Sequence, residues 1–286
     1  MTVIIRAVSA FLAVLMLPLY ALTSAVDLIT ADRRSEETSV NIAGIGAYFR
    51  SQGVATDGEY LYFSSKTTIY KTDITGRNYV DINLSAIPQE LKDIGIKHIG
   101  GMSCYGGFIY AGMEDSKVWE HPVVGVFSTD TLELVKYFEL DSAVHTRGLP
   151  WVCVNPGNGL LYAFDHSKTP AKILAYDVND GMRPAGETAL CETVKSVQGA
   201  EFYGGLLYAA TNDETQAIYT VNVETGVVEK FTDRNLPGGE GEGMTVVEKD
   251  GRSFILAFDL GPLFVNTNLR YYSIEKQEDK TGEKTV

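Results

Sequence analysis

From residue 51 to residue 274, short runs of alternating apolar and polar residues return at regular intervals, and the same order of elements recurs five times. Each copy opens on a polar or small residue, a glycine and an apolar residue. The five openings are Ser51-Gln52-Gly53-Val54, Gly100-Gly101-Met102, Arg147-Gly148-Leu149, Gln198-Gly199-Ala200 and Glu242-Gly243-Met244. These glycines stand at 53, 101, 148, 199 and 243, so the intervals are 48, 47, 51 and 44 residues. A turn pair follows in every copy: Asp57-Gly58, Gly106-Gly107, Asn158-Gly159, Gly204-Gly205 and Asp250-Gly251. Such pairs supply the positive φ that tight hairpins need. An alternating strand comes next: Tyr60-Leu61-Tyr62, Phe108-Ile109-Tyr110, Leu160-Leu161-Tyr162, Leu206-Leu207-Tyr208 and Phe254-Ile255-Leu256. After a polar loop of variable length a third strand begins, at Ile69, Val126, Ile173, Ile218 and Leu269. The first four copies add a fourth, as in Leu134 to Leu140 or Val227 to Phe231.

Units of roughly 40–50 residues with about four short strands mark the blades of a β-propeller. One blade cannot bury both of its faces alone, so blades must stack in a ring. A β-sandwich also has regular short strands, but it has no reason to repeat one order five times. The prediction is an all-β, five-bladed β-propeller of four-stranded blades over residues 39–274. The fifth copy runs out at Ile274 into a charged tail, residues 275–286, which is expected to be disordered. Its missing outer strand is assigned to Ser39–Phe49, which would close the ring and cover two sheet edges.

Ahead of the repeats, Met1 to Val26 carries a single charge, Arg6, followed by the apolar run Ala7 to Leu22 and the small residues Thr23-Ser24-Ala25. This pattern predicts a signal peptide over residues 1–25 cleaved after Ala25, or, uncleaved, a membrane anchor over residues 3–26. Residues 26–38 then read as a linker. Either way the propeller is secreted, or anchored to the membrane, outside the cytoplasm. Export permits disulfides, yet Cys104, Cys153 and Cys191 are too few and too odd in number for a disulfide framework. One bridge or three free thiols both remain open.

The net charge of −13 argues against a general nucleic-acid binder, which needs a basic face to displace counterions. With 45% hydrophobic and 21% charged residues, the chain has the make-up of a folded globule.

Blade register places candidate chemistry at one mouth of the central channel, where the loops entering each inner strand meet the loops between second and third strands. Immediately before the repeat glycines stand Gln52, Gly100, Arg147, Gln198 and Glu242. Two residues further back are Arg50, His98, His145, Ser196 and Glu240. The second loop set adds Glu114, Asp115, His121, Asp165, His166, Asn212, Asp213 and Asp259, so all four histidines fall on this face. Convergent polar groups in a concavity predict a ligand site. Gln52, His98, His145, Arg147, Gln198 and Glu240 are its candidates, with Trp119 in the Met113–Val123 insertion as an exposed aromatic contact. Trp151 reads as core. A cation such as calcium, held by Glu242, Gln198 and backbone carbonyls, is a further reading of the same ring. The histidines lack the paired spacing of a transition-metal site. Gly238-Gly239-Glu240-Gly241-Glu242-Gly243 lacks the βα context of a dinucleotide loop and carries acids where phosphates would approach.

Val197-Gln198-Gly199-Ala200-Glu201-Phe202, Gly205-Leu206-Leu207-Tyr208, Val223-Glu224-Thr225-Gly226 and Gly241-Glu242-Gly243-Met244-Thr245 resemble the plant and bacterial glutaminyl cyclotransferases. That resemblance implies a five-bladed propeller converting N-terminal glutamine to pyroglutamate, with Gln198 touching substrate and Glu242 moving the proton. The sequence thus supports an exported binding module for a small polar molecule, peptide or protein. Its rivals are an enzyme using the same mouth, with Glu242 as acid–base, and an anchored interaction scaffold.

Overall fold

The computed structural model describes residues 36–115, 118–165, 171–236, 239–261 and 266–274, with Pro18 and Ala21 ahead of them. The leading apolar segment, most of the linker and the charged tail lie outside the described residues. Among the described residues no helix is long and apolar enough to cross a membrane.

Among the described residues, twenty strands form five four-stranded antiparallel sheets. Blade 1 is built from β2 (Val54–Thr56), β3 (Tyr60–Ser64), β4 (Ile69–Asp73) and β5 (Tyr79–Asn83). Blade 2 is β6 (His98–Tyr105), β7 (Phe108–Glu114), β8 (Val123–Ser128) and β9 (Leu134–Glu139). Blade 3 is β10 (Cys153–Asn155), β11 (Leu160–Asp165), β12 (Lys172–Asp177) and β13 (Arg183–Ala189). Blade 4 is β14 (Val197–Tyr203), β15 (Leu206–Thr211), β16 (Ile218–Val221) and β17 (Val228–Thr232). Blade 5 takes β18 (Glu240–Lys249), β19 (Arg252–Leu260) and β20 (Asn266–Ile274), and its outer strand is β1 (Thr38–Ala43). The chain is therefore a five-bladed β-propeller whose ring is closed by its N-terminal strand.

The period-two pleat of each strand explains why blades must stack. On β3, Leu61 and Phe63 join the core shared with blade 5, while Tyr62 between them joins the core shared with blade 2. On β15, Leu207 and Ala209 face blade 3, and Tyr208 and Ala210 face blade 5. The apolar core is thus five interfaces between blades rather than one centre.

Strand pairing corrects the repeat register in blade 3. Tyr62, Tyr110, Tyr162, Tyr208 and Leu256 lie opposite Ala55, Ser103, Cys153, Glu201 and Thr245. Two residues before these stand Gly53, Gly101, Trp151, Gly199 and Gly243. The axial position of blade 3 is therefore Trp151, and the intervals become 48, 50, 48 and 44. Gly148 matched the motif but lies in the loop ahead. A Cβ on Gly199 would sit 2.8 Å from the Gly243 Cα, one on Gly243 2.9 Å from the Gly53 Cα, and one on Gly101 3.1 Å from the Gly199 Cα. Inner strands therefore meet at backbone contact, and between blades 2 and 4 they do so across the axis. Trp151, 1% exposed, fills the fifth position and sets its indole edge-on to Phe164 with ring centroids 5.0 Å apart.

Ring closure is polar as well as hydrogen-bonded along the ladder. β1 pairs antiparallel with β20 from Thr38↔Tyr271 to Ala43↔Asn266. Gly44, at φ +69°, ends the strand sooner than the sequence suggested and turns the chain into a one-turn helix at Ile45–Tyr48. The buried Arg270 guanidinium bonds Asp259 Oδ1 at 2.5 Å and Glu36 Oε2 at 2.7 Å, and Asn268 donates to Asp259 Oδ2 at 3.0 Å. Arg50 is also buried, donating to the carbonyls of Gly46 and Gly76 at 2.6 and 2.7 Å and lying 4.6 Å from the Tyr70 ring centroid. All three cysteines are free.

Removing one partner of a buried ion pair strands the other without solvent. Arg270→Ala is expected to lower stability by about 3–5 kcal/mol. The exposed Arg252, paired with Glu37 at 2.5 Å, belongs to a class worth at most about 1 kcal/mol, so Arg252→Ala should cost that or less. Urea melts of the two variants side by side check the contrast.

Candidate functional site

The glycine contacts seal the axis, and above that floor the loops entering the blades open into a cavity of about 710 Å³. Four blades contribute to it. Gln52 comes from blade 1, and His98, Glu114 and Trp119 from blade 2. Arg147 and Pro150 come from the loop entering blade 3, and Thr193, Lys195, Ser196 and Gln198 from the loop entering blade 4.

On that floor lies a directional hydrogen-bond chain. The Gln52 amide nitrogen donates to the Ser51 carbonyl, which turns Oε1 toward His98 Nε2. An amide oxygen only accepts, so the imidazole carries its hydrogen on Nε2 and presents Nδ1 as an acceptor. Nδ1 has no hydrogen-bond partner and faces Glu114 Oε1 at 3.6 Å. The other Glu114 oxygen accepts the Leu149 N–H at 2.8 Å. Burial, with Lys66 adding to it, pushes His98 down to about 4. Burial, reinforced by Asp115 and opposed by the Leu149 bond, pushes Glu114 up to about 7. Both groups are driven toward their neutral forms, so they meet as a neutral pair rather than an ion pair.

Trp119 forms the wall, 38% exposed, with its backbone at φ +52°. A left-handed tryptophan is strained and must be held. Asp115 holds it, accepting the N–H groups of Val118, Trp119 and Glu120 at 3.2, 2.7 and 2.9 Å. Gly148 permits the approach: a Cβ there would stand 2.7 Å from Trp119 Cδ1 and 2.0 Å from Glu114 Oε2.

Gln52, His98, Arg147, Gln198 and Trp119 therefore converge. The other candidates lie elsewhere. His145 is buried, with Nε2 2.7 Å from the Tyr176 hydroxyl. Glu240 is half-buried beside Asn212 at 3.5 Å. Glu242 is buried outside this cavity, and burial, reinforced by Glu240 and opposed by Arg234, lifts its carboxyl well above the usual range. His121 pairs with Glu139 at 2.6 Å on the surface, and His166 lies outside the described residues. Among the described residues no group of three or more His, Cys, Asp or Glu side chains is placed to hold a metal ion. Thr193 and Lys195 were not singled out in the sequence. Their only signal there is the polar run that leads into Val197-Gln198-Gly199.

No family model matches the chain, and no curated protein matches it in sequence. Among solved structures it is similar to Myxococcus xanthus glutaminyl cyclase, with a TM-score of 0.57 at 15% identity over 82% of this chain and 96% of that one. A chain of a mitotic checkpoint complex aligns at a TM-score of 0.46 and 10% identity, over 84% of this chain and 96% of that one. BamB from Moraxella catarrhalis aligns at 0.37 and 10% identity, over 78% of this chain and 59% of its own. The first of these likenesses supports the five-bladed propeller fold.

Two residues past the axial Gly199, Glu201 is half-buried, accepting from Thr245 Oγ1 at 3.0 Å, and burial pushes it up to about 7 from an ordinary 4.5. The folded chain keeps this proton where the unfolded chain has lost it. Stability therefore falls as pH rises from about 4.5 to about 7 and then levels. Glu201→Gln keeps an acceptor for Thr245 and removes that loss. Relative to the parent it should gain roughly 2–3 kcal/mol between pH 4.5 and pH 8. Urea midpoints at the two pH values check this.

Proposed function

We propose that this chain is a β-propeller binding module, carried outside the cytoplasm by its apolar N-terminal segment, that holds a small polar ligand or peptide end in the mouth cavity. The observation that carries the reading is the convergence of side chains from four blade entrances on one space of about 710 Å³. Loops vary while the scaffold beneath them stays rigid, which suits a propeller mouth to recognition. The amide and imidazole floor offers fixed donors and acceptors, and Trp119 offers an apolar face for a ring.

One observation favours an enzyme as the second reading. Glu242 is a buried carboxyl at the entrance of blade 5, and burial lifts it well above the usual carboxylate range, with Glu240 reinforcing and the buried Arg234 opposing. A carboxyl shifted in that direction suits a general acid. The likeness to a glutaminyl cyclase in fold makes glutaminyl peptides the first substrates to try.

A thermal-shift screen of the full chain against sugars, organic acids, glutaminyl peptides and calcium tests both. The binding reading expects a ligand-dependent rise in Tm that is lost in Trp119→Ala and Gln198→Ala and kept in Glu242→Gln, since ligands stabilise the state they bind. Ring closure of a glutaminyl peptide, abolished by Glu242→Gln, would establish the enzyme instead. A calcium-dependent rise lost in Glu242→Gln would assign a cation site. A screen with no response in any arm would sink the mouth as a small-ligand site.

A further inference from the structure

The charge of the cavity is opposite to that of the chain. The protein carries a net −13, yet the charged side chains lining the mouth are Arg147 and Lys195, both exposed, and one acid, Glu114, which is buried. Lys66 adds a third positive charge behind His98. Asp115, next in the chain, is buried and spends its oxygens on the backbone of residues 118–120. A concave site with two free-standing cations on the rim and a low-dielectric floor concentrates positive potential.

We infer that the mouth cavity selects an organic anion, with its charged group on Arg147 and Lys195 and its body against Trp119, and that binding is coupled to retention of a proton on Glu114. This rests on the binding reading above and adds the charge of the ligand and a proton linkage to it. Gln52 fixes the hydrogen of His98 on Nε2, so Nδ1 is a buried lone-pair acceptor without a hydrogen-bond partner, and the acid facing it is Glu114 Oε1 at 3.6 Å, just beyond hydrogen-bond length. A hydrogen on Oε1 supplies the donor that Nδ1 lacks. An ionised Glu114 would instead set a lone pair against a lone pair, with a bound anion beside it as a second like charge. The proton is drawn from the medium, onto Glu114 Oε1.

Other ligand charges fit less well. An ammonium group would meet Arg147 and Lys195, with no ionised acid among the lining residues while Glu114 holds its proton. A neutral sugar would suit Trp119 but would leave both rim cations without a function. The carboxylate and phosphate forms of an anion share the chemistry named here, since a guanidinium forks onto either.

The groups facing Glu114 are His98 from β6, Asp115 along its own chain and the Leu149 N–H from the loop entering blade 3, while Arg147 and Lys195 line the same cavity. Of these His98, pushed down to about 4, stays neutral over the range of the test, so a response centred near 7 reports Glu114.

The experiment titrates the full chain with benzoate, phenyl phosphate, benzamide and benzylamine, following Trp119 fluorescence against the enclosed Trp151. Tris or imidazole buffers avoid competing anions. At pH 6 benzoate should bind at least about tenfold tighter than benzamide, with benzylamine weaker still, a difference of about 1.4 kcal/mol for each factor of ten. Phenyl phosphate alongside separates the two anion types. Arg147→Ala and Lys195→Ala, both on exposed residues, should each weaken benzoate several-fold. Affinity for benzoate should fall about tenfold from pH 6 to pH 8, and calorimetry in the two buffers should show proton uptake at pH 7.5. Glu114→Gln should flatten that pH profile. Benzamide or benzylamine binding as tightly as benzoate would overturn the anion assignment while leaving a polar-ligand site intact. Benzoate affinity that does not change with pH would overturn the proton coupling. Failure of both anions to bind, in a chain that gains Tm with sugars or peptides, overturns the inference and not the binding module.

Discussion

Backbone-to-backbone contact at the axis is the constraint on which the rest of this structure depends. Five sheets can share one axis only if their inner strands approach more closely than side chains allow, and Gly53, Gly101, Gly199 and Gly243 supply that approach. A methyl group at any of them would meet the backbone of a neighbouring or opposite blade. Trp151 at the fifth position does the reverse, turning its bulk away from the axis and into the interface of blades 3 and 4. The contact that seals the axis is also the contact that gives the mouth cavity a floor.

Closure imposes a second requirement, because a ring joined by one ladder is only as durable as that ladder. Ordinary pairing of β1 with β20 is reinforced by charge taken out of water, with Arg270 spanning Asp259 on β19 and Glu36 ahead of β1. Such an arrangement adds specificity more surely than energy, since desolvation offsets much of the attraction. It selects one segment of the chain as the closing strand. Glu36 just ahead of β1, Asn41 on β1 and Asn268 on β20 are all polar, and each has a partner in the closed ring.

Much of the fold was legible because propeller geometry is written in short-range signals. The Asp-Gly and Gly-Gly turns, the alternating Leu61-Tyr62-Phe63 type of strand and a spacing near fifty residues all survive in a single sequence. The one misplaced register shows what such signals omit. Arg147-Gly148-Leu149 satisfies the same motif as Gln198-Gly199-Ala200, and only the pairing of Cys153 with Tyr162 reveals that the axial residue is Trp151. Site residues were legible to the extent that register fixes direction. Gln52 and Gln198 stand one before an axial glycine and both line the mouth. Glu242 holds the same register but is buried outside the mouth, although its strand and that of Gln198 carry the same register shift at this point. The His98–Glu114 pair joins two strands of one blade through a side-chain approach, which spacing in a sequence does not encode.

The acids around the axis point to one further step. Glu114, Glu201 and Glu242 all have their carboxyls raised, and in each the first cause is burial rather than a neighbouring charge. A chain with 37 acidic residues has ample surface on which to keep carboxylates ionised, so burying Glu114 and Glu242 and half-burying Glu201 runs against its own solvation. Their positions follow from the architecture. Glu201 and Glu242 lie on inner strands and Glu114 ends the next strand out, where backbone contact leaves little room for water. A neutral carboxyl keeps a donor as well as an acceptor, which an amide also offers, but only the carboxyl can exchange its donor for a charge as conditions change. Glu201 does not line the mouth and makes that exchange at the expense of stability alone. Glu114 borders the cavity, so the same chemistry there is felt by whatever the cavity holds.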